Sequence, residues 1–426
     1  MLTFMNTETF KTLIKEGQNV LQSLEVFPRE FEFEKEGRYV LVGIRQAGKS
    51  YLLYQRVKML LSDGHSIQEI VYINFDDERL LGMRAEDFDL ILQAYGAMFS
   101  GKPLLFFDEI QNIDGWEHFA RRLANQKYHV YITGSNAKML SRDIATTLGA
   151  RYFDEKVYPY SFSEYISSRC ITLENGWDYG EEKNQVRQKF DEYLLWGGFP
   201  ELKHYANKRY WLNGLYEKII LGDVIMRNKV KNEHALRLAV KRLAECTMQP
   251  VSYNRLANMV KASGVNTNVA SIIDYVDYVK DACLMFTLTN YASKFAEKET
   301  VKKHYFTDNG LLGIFLSEEK APRLENLCAI QLQRKYNNDP LSPRLYFYNR
   351  NSEVDFFIPD ESYAVQVSCD ITDYETRERE VAALLALHRQ SPLARAEIIT
   401  LDDEKVITED GLKIRVVPAW KWLLEL

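Results

Sequence analysis

RYVLVGIRQAGKSYLLYQRVKMLL, residues 38–61, reads as strand, loop and helix in immediate succession. Tyr39 to Val42 is a short apolar run of the kind buried in a sheet, and Leu52, Leu53, Val57, Leu60 and Leu61 recur at helical spacing. Between them, Gly43-Ile44-Arg45-Gln46-Ala47-Gly48-Lys49-Ser50 matches G-x-x-x-x-G-K-[ST]. In that context the residue types specify chemistry. Gly43 and Gly48 allow a backbone approach that a Cβ would block. The loop amides and the helix N-terminus, through Tyr51, then face the α- and β-phosphates of a nucleotide. Lys49 reaches the β/γ oxygens, and the Ser50 hydroxyl is placed to ligate Mg²⁺. A chance pattern in a turn would not explain the flanking strand and helix.

A working phosphate site also needs acids. Lys102-Pro103-Leu104-Leu105-Phe106-Phe107-Asp108-Glu109 supplies a turn, an apolar strand and two carboxylates at its C-terminal end. Asp108 is expected to hold Mg²⁺ through water, and Glu109 to orient or deprotonate the attacking water. The bland alternative is a core strand ending in solvated acids. Tyr128-His129-Val130-Tyr131-Ile132-Thr133-Gly134-Ser135-Asn136 is a further strand ending in polar side chains. Parallel neighbours bring such ends to one crevice. Thr133, Ser135 and Asn136 are all candidates to sense a γ-phosphate, with Ser135 preferred and a helix-cap role open for Ser135 or Asn136.

Together these segments resemble the AAA+ ATPases, with Walker A at 43–50, Walker B at Asp108-Glu109 and sensor 1 within 133–136. The resemblance implies an α/β P-loop NTPase with parallel sheet order 5-1-4-3-2, residues 69–75 as strand 2 and 152–157 as strand 5. It also implies an arginine finger. Arg151, after an expected helix over 137–148, stands where such a finger reaches a neighbouring subunit's γ-phosphate, which would make the protein a homo-oligomer. Arg142 is the competitor, and a plain surface arginine is an equal alternative.

Pro159-Tyr160-Ser161-Phe162-Ser163-Glu164-Tyr165 and Trp196-Gly197-Gly198-Phe199-Pro200 look like the paired motifs of a prokaryotic AAA+ family with a C-terminal domain of unknown function. In related ATPases a lid Gly-x-Pro touches adenine, which would make Pro200 a base contact; otherwise the motif is a helix–turn–helix corner. The expected domains are an N-terminal helical segment (1–30), the ATPase core (31–158), a helical lid (159–245), a winged helix (246–295) and a nuclease-like domain (296–426). In the winged helix, the second helix, NTNVASIIDYVDYVKD, carries Asp274, Asp277 and Asp281 against Lys280. Groove readers present Arg or Lys, so packing or partner binding is preferred to DNA reading, and DNA stays a secondary partner.

The last third resembles PD-(D/E)xK nuclease folds: Glu325 on a helix, Asp355 on a hairpin strand, and Gln366-Val367-Ser368 where E-x-K belongs. Those enzymes use two acids for a metal and a lysine to activate water. With Ser368 in the lysine's place the domain reads as degenerate, glutamine being at best a weak metal ligand.

Composition limits the remaining classes. The 426 residues are 46% apolar and 27% charged, an ordinary globular mix. The net charge of −6 argues against wholesale electrostatic nucleic-acid binding. The five cysteines form no C-x-x-C pair, no His/Cys cluster suggests zinc, and no apolar run approaches the ~18–20 residues needed to span a bilayer. A cytoplasmic ATPase with reduced thiols, binding ATP and Mg²⁺ and no membrane, is expected, its turnover driving a conformational switch; the alternatives are an ATP-regulated DNA-binding or DNA-cleaving enzyme and a nucleotide-gated binding module with negligible hydrolysis.

Overall fold

The computed structural model describes residues 5–317, 319–336 and 342–425, so the outer limits expected at residues 1 and 426 lie outside the described residues. The chain divides into two compact units, up to Tyr158 and from Pro159 onward.

In the first unit, α1 (Thr7–Ser23) precedes β1 (Tyr39–Val42), α2 (Lys49–Ser62), β2 (Ile70–Asn74), α3 (Asp89–Met98), β3 (Leu104–Asp108), α4 (Trp116–Asn125), β4 (Val130–Gly134), α5 (Arg142–Leu148) and β5 (Phe153–Lys156). The five strands are all parallel, in the order β2-β3-β4-β1-β5. Read from the other edge, this is the expected 5-1-4-3-2. β1, β3 and β4 are buried along their whole length, which explains why their sequences are continuous apolar runs without alternation. Burying a side chain such as Phe106 or Phe107 contributes about 1.5–3 kcal/mol. Because the strands are parallel, Val42, Asp108 and Gly134 all end at one edge of the sheet.

The helix expected over 137–148 is divided. A 3₁₀ turn over Ala137–Leu140 gives way to α5 at Ser141, whose extended backbone breaks the helix. α1 packs on the β2 side of the sheet, where the buried Gln18 amide donates to the Ile70 carbonyl (3.0 Å).

The second unit begins with α6 (Phe162–Ser167), α7 (Glu182–Trp196), α8 (Lys208–Lys218, continued as a π-helix over Ile219–Met226) and α9 (Glu233–Glu245). α6 starts with a reciprocal cap between Ser161 and Glu164. β6 (Val251–Ser252), α10 (Tyr253–Ala262), α11 (Val269–Asp281), β7 (Met285–Thr289), α12 (Phe295–Thr300) and β8 (Val301–Phe306) follow, the strands forming an antiparallel sheet ordered β6-β8-β7. Ile273, Asp274 and Asp277 lie on the exposed face of α11.

Then come α13 (Asn309–Leu312), α14 (Lys320–Tyr336), β9 (Tyr346–Asn349), β10 (Glu353–Ile358), β11 (Tyr363–Val367), α15 (Tyr374–Gln390), β12 (Arg395–Thr400), β13 (Lys405–Glu409), β14 (Leu412–Pro418) and α16 (Ala419–Glu425). Their mixed sheet runs β13-β14-β12-β11-β10-β9. Asn290 joins the two sheets, its side chain pairing with both the N–H and the C=O of Asn349.

Two features tie this unit together. Gly197 has φ +76°, and a Cβ there would lie 2.0 Å from Asp308 Oδ1. The buried Asp308 carboxylate accepts from Gly198 N and Gly310 N, each at 2.7 Å. And although Ser368 leaves the expected lysine position empty of charge, a lysine is present from elsewhere: Lys303 on β8 lies among Glu325, Glu353 and Asp355. Among the described residues no helix is long and apolar enough to cross a membrane.

Candidate active site

The loop between β1 and α2 is held from several sides. Gly43 N donates to Gly134 O (3.2 Å), and Ala47 N to Ile44 O (3.3 Å). A Cβ on Gly43 would come within 1.9 Å of the Val157 carbonyl oxygen, so this position takes glycine because β5's exit crosses directly over it. From outside the motif, the largely buried Arg29 donates to Ala47 O (2.9 Å). The first-turn N–H groups of α2, starting at Lys49, have no carbonyl one turn back within the helix and lie at the positive end of its dipole. Tyr51 is exposed in that turn.

Lys49 is buried, and its ammonium donates to Gly43 O and Ile44 O, both at 3.0 Å, while Glu109 Oε1 lies 3.5 Å away. The lysine closes its own loop.

Asp108 at the end of β3 is almost wholly buried. Its oxygens accept from Tyr72 Oη (2.8 Å), Thr133 Oγ1 and the Ser50 hydroxyl. Burial first, and then the Glu109 charge beside it, push its pKa up. A desolvated carboxylate next to a second acid favours a nearby cation, and a carboxylate plus a serine hydroxyl is a hard-oxygen donor set suited to Mg²⁺.

Glu109 follows immediately, in the left-handed region at φ 54°. Its N–H donates to Thr133 Oγ1 (3.0 Å), and its Oε2 accepts from Gln111 Nε2 (2.6 Å). Burial works against its ionisation, but Lys49, Gln111, Arg45 and Ser135 more than offset this and hold its pKa below the usual glutamate range. It is therefore a carboxylate at neutral pH, as a base must be.

The three polar residues at the end of β4 separate cleanly. Thr133 serves Asp108 and the Glu109 backbone. Ser135, fully buried, accepts from Gln111 Nε2 (3.2 Å), which places it beside Glu109. Asn136 caps the 3₁₀ turn by accepting from Lys138 N (3.0 Å). Arg151 is exposed, with Nη1 turned back to Gly149 O (3.2 Å), and Arg142 is likewise exposed. Pro200 opens a short helical turn of the second unit, Pro200–His204.

Three contributors were not singled out from sequence. Gln111 stands two residues past Glu109, a spacing that could have flagged it. Tyr72 lies mid-strand and Arg29 lies in an irregular segment, and neither carries a local signal.

Parts of the chain are similar to known proteins. Residues 35–166 match a family described as an AAA domain, and residues 187–321 match a domain of unknown function, DUF8612. An uncharacterized protein of Methanocaldococcus jannaschii is 28% identical, covering 97% of this chain and 95% of its own length. An uncharacterized protein of Haemophilus influenzae is 29% identical, over 84% of this chain and 87% of its own length. Among solved structures, the Walker-type ATPase PABY2304 of Pyrococcus abyssi is similar at 14% identity and a TM-score of 0.43, covering 70% of this chain and 99% of the other. The sheet order of the first unit is that of P-loop NTPases, and residues 35–166, which extend past the end of that unit at Tyr158, are similar in sequence to AAA domains.

Proposed function

We propose that the protein binds ATP with Mg²⁺ and hydrolyses it, using the turnover to switch the conformation of a multidomain AAA+ protein. The observation that carries this reading is the convergence of Lys49, Asp108, Glu109 and Ser135 at one edge of the first unit's parallel sheet. The loop 43–50 and the α2 N-terminus would receive the phosphates, with Lys49 turning from the Gly43 and Ile44 carbonyls to the β/γ oxygens. Ser50 and Asp108 would hold Mg²⁺, which supplies charge neutralisation on the phosphate oxygens. Glu109 would orient and deprotonate water, and Ser135 would register the γ-phosphate. Arg151 is the proposed finger, acting across a homo-oligomer; its exposure leaves it accessible for that role. The second unit would act as lid, winged-helix module and partner-binding domain. The acidic exposed face of α11 favours a protein partner there over DNA.

The experiment compares nucleotide binding and phosphate release for wild type, Lys49→Ala and Glu109→Gln. Lys49→Ala should weaken ATP binding about 10–150-fold, the equivalent of one charge-assisted contact of about 1.5–3 kcal/mol. Glu109→Gln should bind ATP like wild type and hydrolyse it about 10²–10⁴-fold more slowly. Unchanged ATP binding by Lys49→Ala removes the proposal's foundation.

A further inference from the structure

The nuclease-like arrangement of the C-terminal acids calls for a divalent cation between Glu325 and Asp355, and the side chains there do not fit one. Asp355 Oδ2 accepts from Val367 N (2.9 Å), and its Oδ1 faces Lys303 Nζ (3.1 Å). Glu325 Oε1 is shared by Lys303 Nζ (3.2 Å) and Tyr305 Oη (2.7 Å). Lys303 Nζ also lies 2.8 Å from Glu353 Oε1. Gln366, the candidate weak ligand, spends its amide on scaffolding: Oε1 accepts from Asp355 N (2.8 Å), while Nε2 donates to Glu353 O (3.2 Å) and Glu380 Oε2 (2.7 Å). Ser368 points its hydroxyl away, donating to Asp370 O (2.8 Å).

An ammonium has three N–H donors and no acceptor, and here three carboxylates surround it. The Lys303 side chain is 0% exposed, lies against the Phe347 ring and comes from β8 of the three-stranded sheet, outside the sheet that carries Asp355 and Gln366. A divalent ion at ordinary oxygen distances, about 2.0–2.6 Å, would have to occupy the same space as Nζ. Among the described residues, no group of three or more His, Cys, Asp or Glu side chains is placed to hold a metal.

We propose that Lys303 is a built-in cation standing where a nuclease would bind its metal. The C-terminal domain keeps the acids of the fold but pairs them with an internal cation that offsets part of their charge, so that it holds its shape without metal and performs no metal-dependent strand cleavage. A lysine that activates water must share its site with a metal; this one excludes it.

The test titrates Mn²⁺ into the full nucleotide-free chain, followed by electron paramagnetic resonance, in an Asp108→Asn background that removes the first unit's cation-seeking acid. With Lys303 intact, no stoichiometric Mn²⁺ should bind at sub-millimolar concentration. Lys303→Met should create one site, at least tenfold tighter than any in the parent, that a second change, Glu353→Gln, removes. A folded Lys303→Met that gains no Mn²⁺ overturns the proposal. So does a stoichiometric Mn²⁺ in the Lys303-containing chain that Glu353→Gln displaces, or Mn²⁺-dependent plasmid cleavage lost in Asp355→Asn. Should Lys303→Met fail to fold, the titration and cleavage assay of the Lys303-containing chain decide the matter by themselves.

Discussion

Replacing Asp308 by asparagine separates two energies that the native site combines. The carboxyl is buried, and that burial raises its pKa from the ordinary 3.8 to about 6, despite the backbone N–H groups of Gly198, Gly310 and Leu311 that pull the other way. A raised acid pKa means that the folded chain holds this proton more tightly than the unfolded chain does. Between about pH 4 and pH 6 the folded state is the more protonated one, so stability falls as pH rises through that window. The gap corresponds to about 3 kcal/mol, present below pH 4 and lost above pH 6. Asparagine does not titrate, so it lacks this dependence. It carries a constant penalty instead, because its NH₂ must face Gly198 N or Gly310 N and leave one buried donor unpaired, about 1–3 kcal/mol. Wild type should therefore exceed Asp308→Asn in stability at pH 4.5, and that margin should shrink by about 2 kcal/mol by pH 7.5. Urea unfolding followed by tryptophan fluorescence reports this, since five of the six tryptophans lie in the second unit. A margin that is flat with pH, or that grows toward pH 7.5, would refute the assignment of a strained, buried carboxylate at this junction.

Three further outcomes follow from the same close contacts. Gly43→Ala would force a Cβ to within 1.9 Å of the Val157 carbonyl; parting β1 from the β5 exit should cost about 1–3 kcal/mol in the first unit and lower affinity for a fluorescent ATP analogue at least tenfold. Gly197→Ala meets both a left-handed φ of +76° and the Asp308 carboxylate, and should cost at least the ~1–2 kcal/mol of the backbone strain, read as a lower urea midpoint. Asp108→Asn should reduce phosphate release at least 10²-fold by removing the proposed metal ligand. In the nucleotide-free state it should leave the thermal midpoint unchanged or raise it, because it relieves a desolvated charge beside Glu109.

The first unit's sheet and phosphate-type loop were legible because their signals are local. The Tyr39–Val42 strand, the 43–50 loop and the following helix adjoin one another in sequence, and a parallel sheet buried on both faces announces its strands as apolar runs. The choice among Thr133, Ser135 and Asn136 could not be made from sequence, since all three types hydrogen-bond equally well and only the end geometry of β4 tells them apart. Side chains arriving from other elements left no trace at all. Arg29 reaches the loop across 18 positions, and Tyr72 reaches Asp108 across 36. Lys303 is the sharpest case: the E-x-K position at the end of β11 carries Ser368, while the cation beside Asp355 comes from another sheet, 52 positions earlier.

The arrangement around Lys49 also bears on how binding would couple to chemistry. One ammonium satisfies two loop carbonyls and lies near the Glu109 carboxylate. On the proposed reading, a phosphate must draw it away from all three, so the energy of engaging ATP is partly offset by releasing those contacts. The release would act on both sides: the two loop carbonyls would give up their lysine donor, and Glu109 would lose the largest influence holding its pKa down. Its proton affinity should then rise as the nucleotide seats, making it a stronger base when its target water is present. Gln111, which holds the other Glu109 oxygen and touches Ser135, keeps the carboxylate aimed while that change occurs. On that reading, base strength and nucleotide occupancy would be linked through a single lysine.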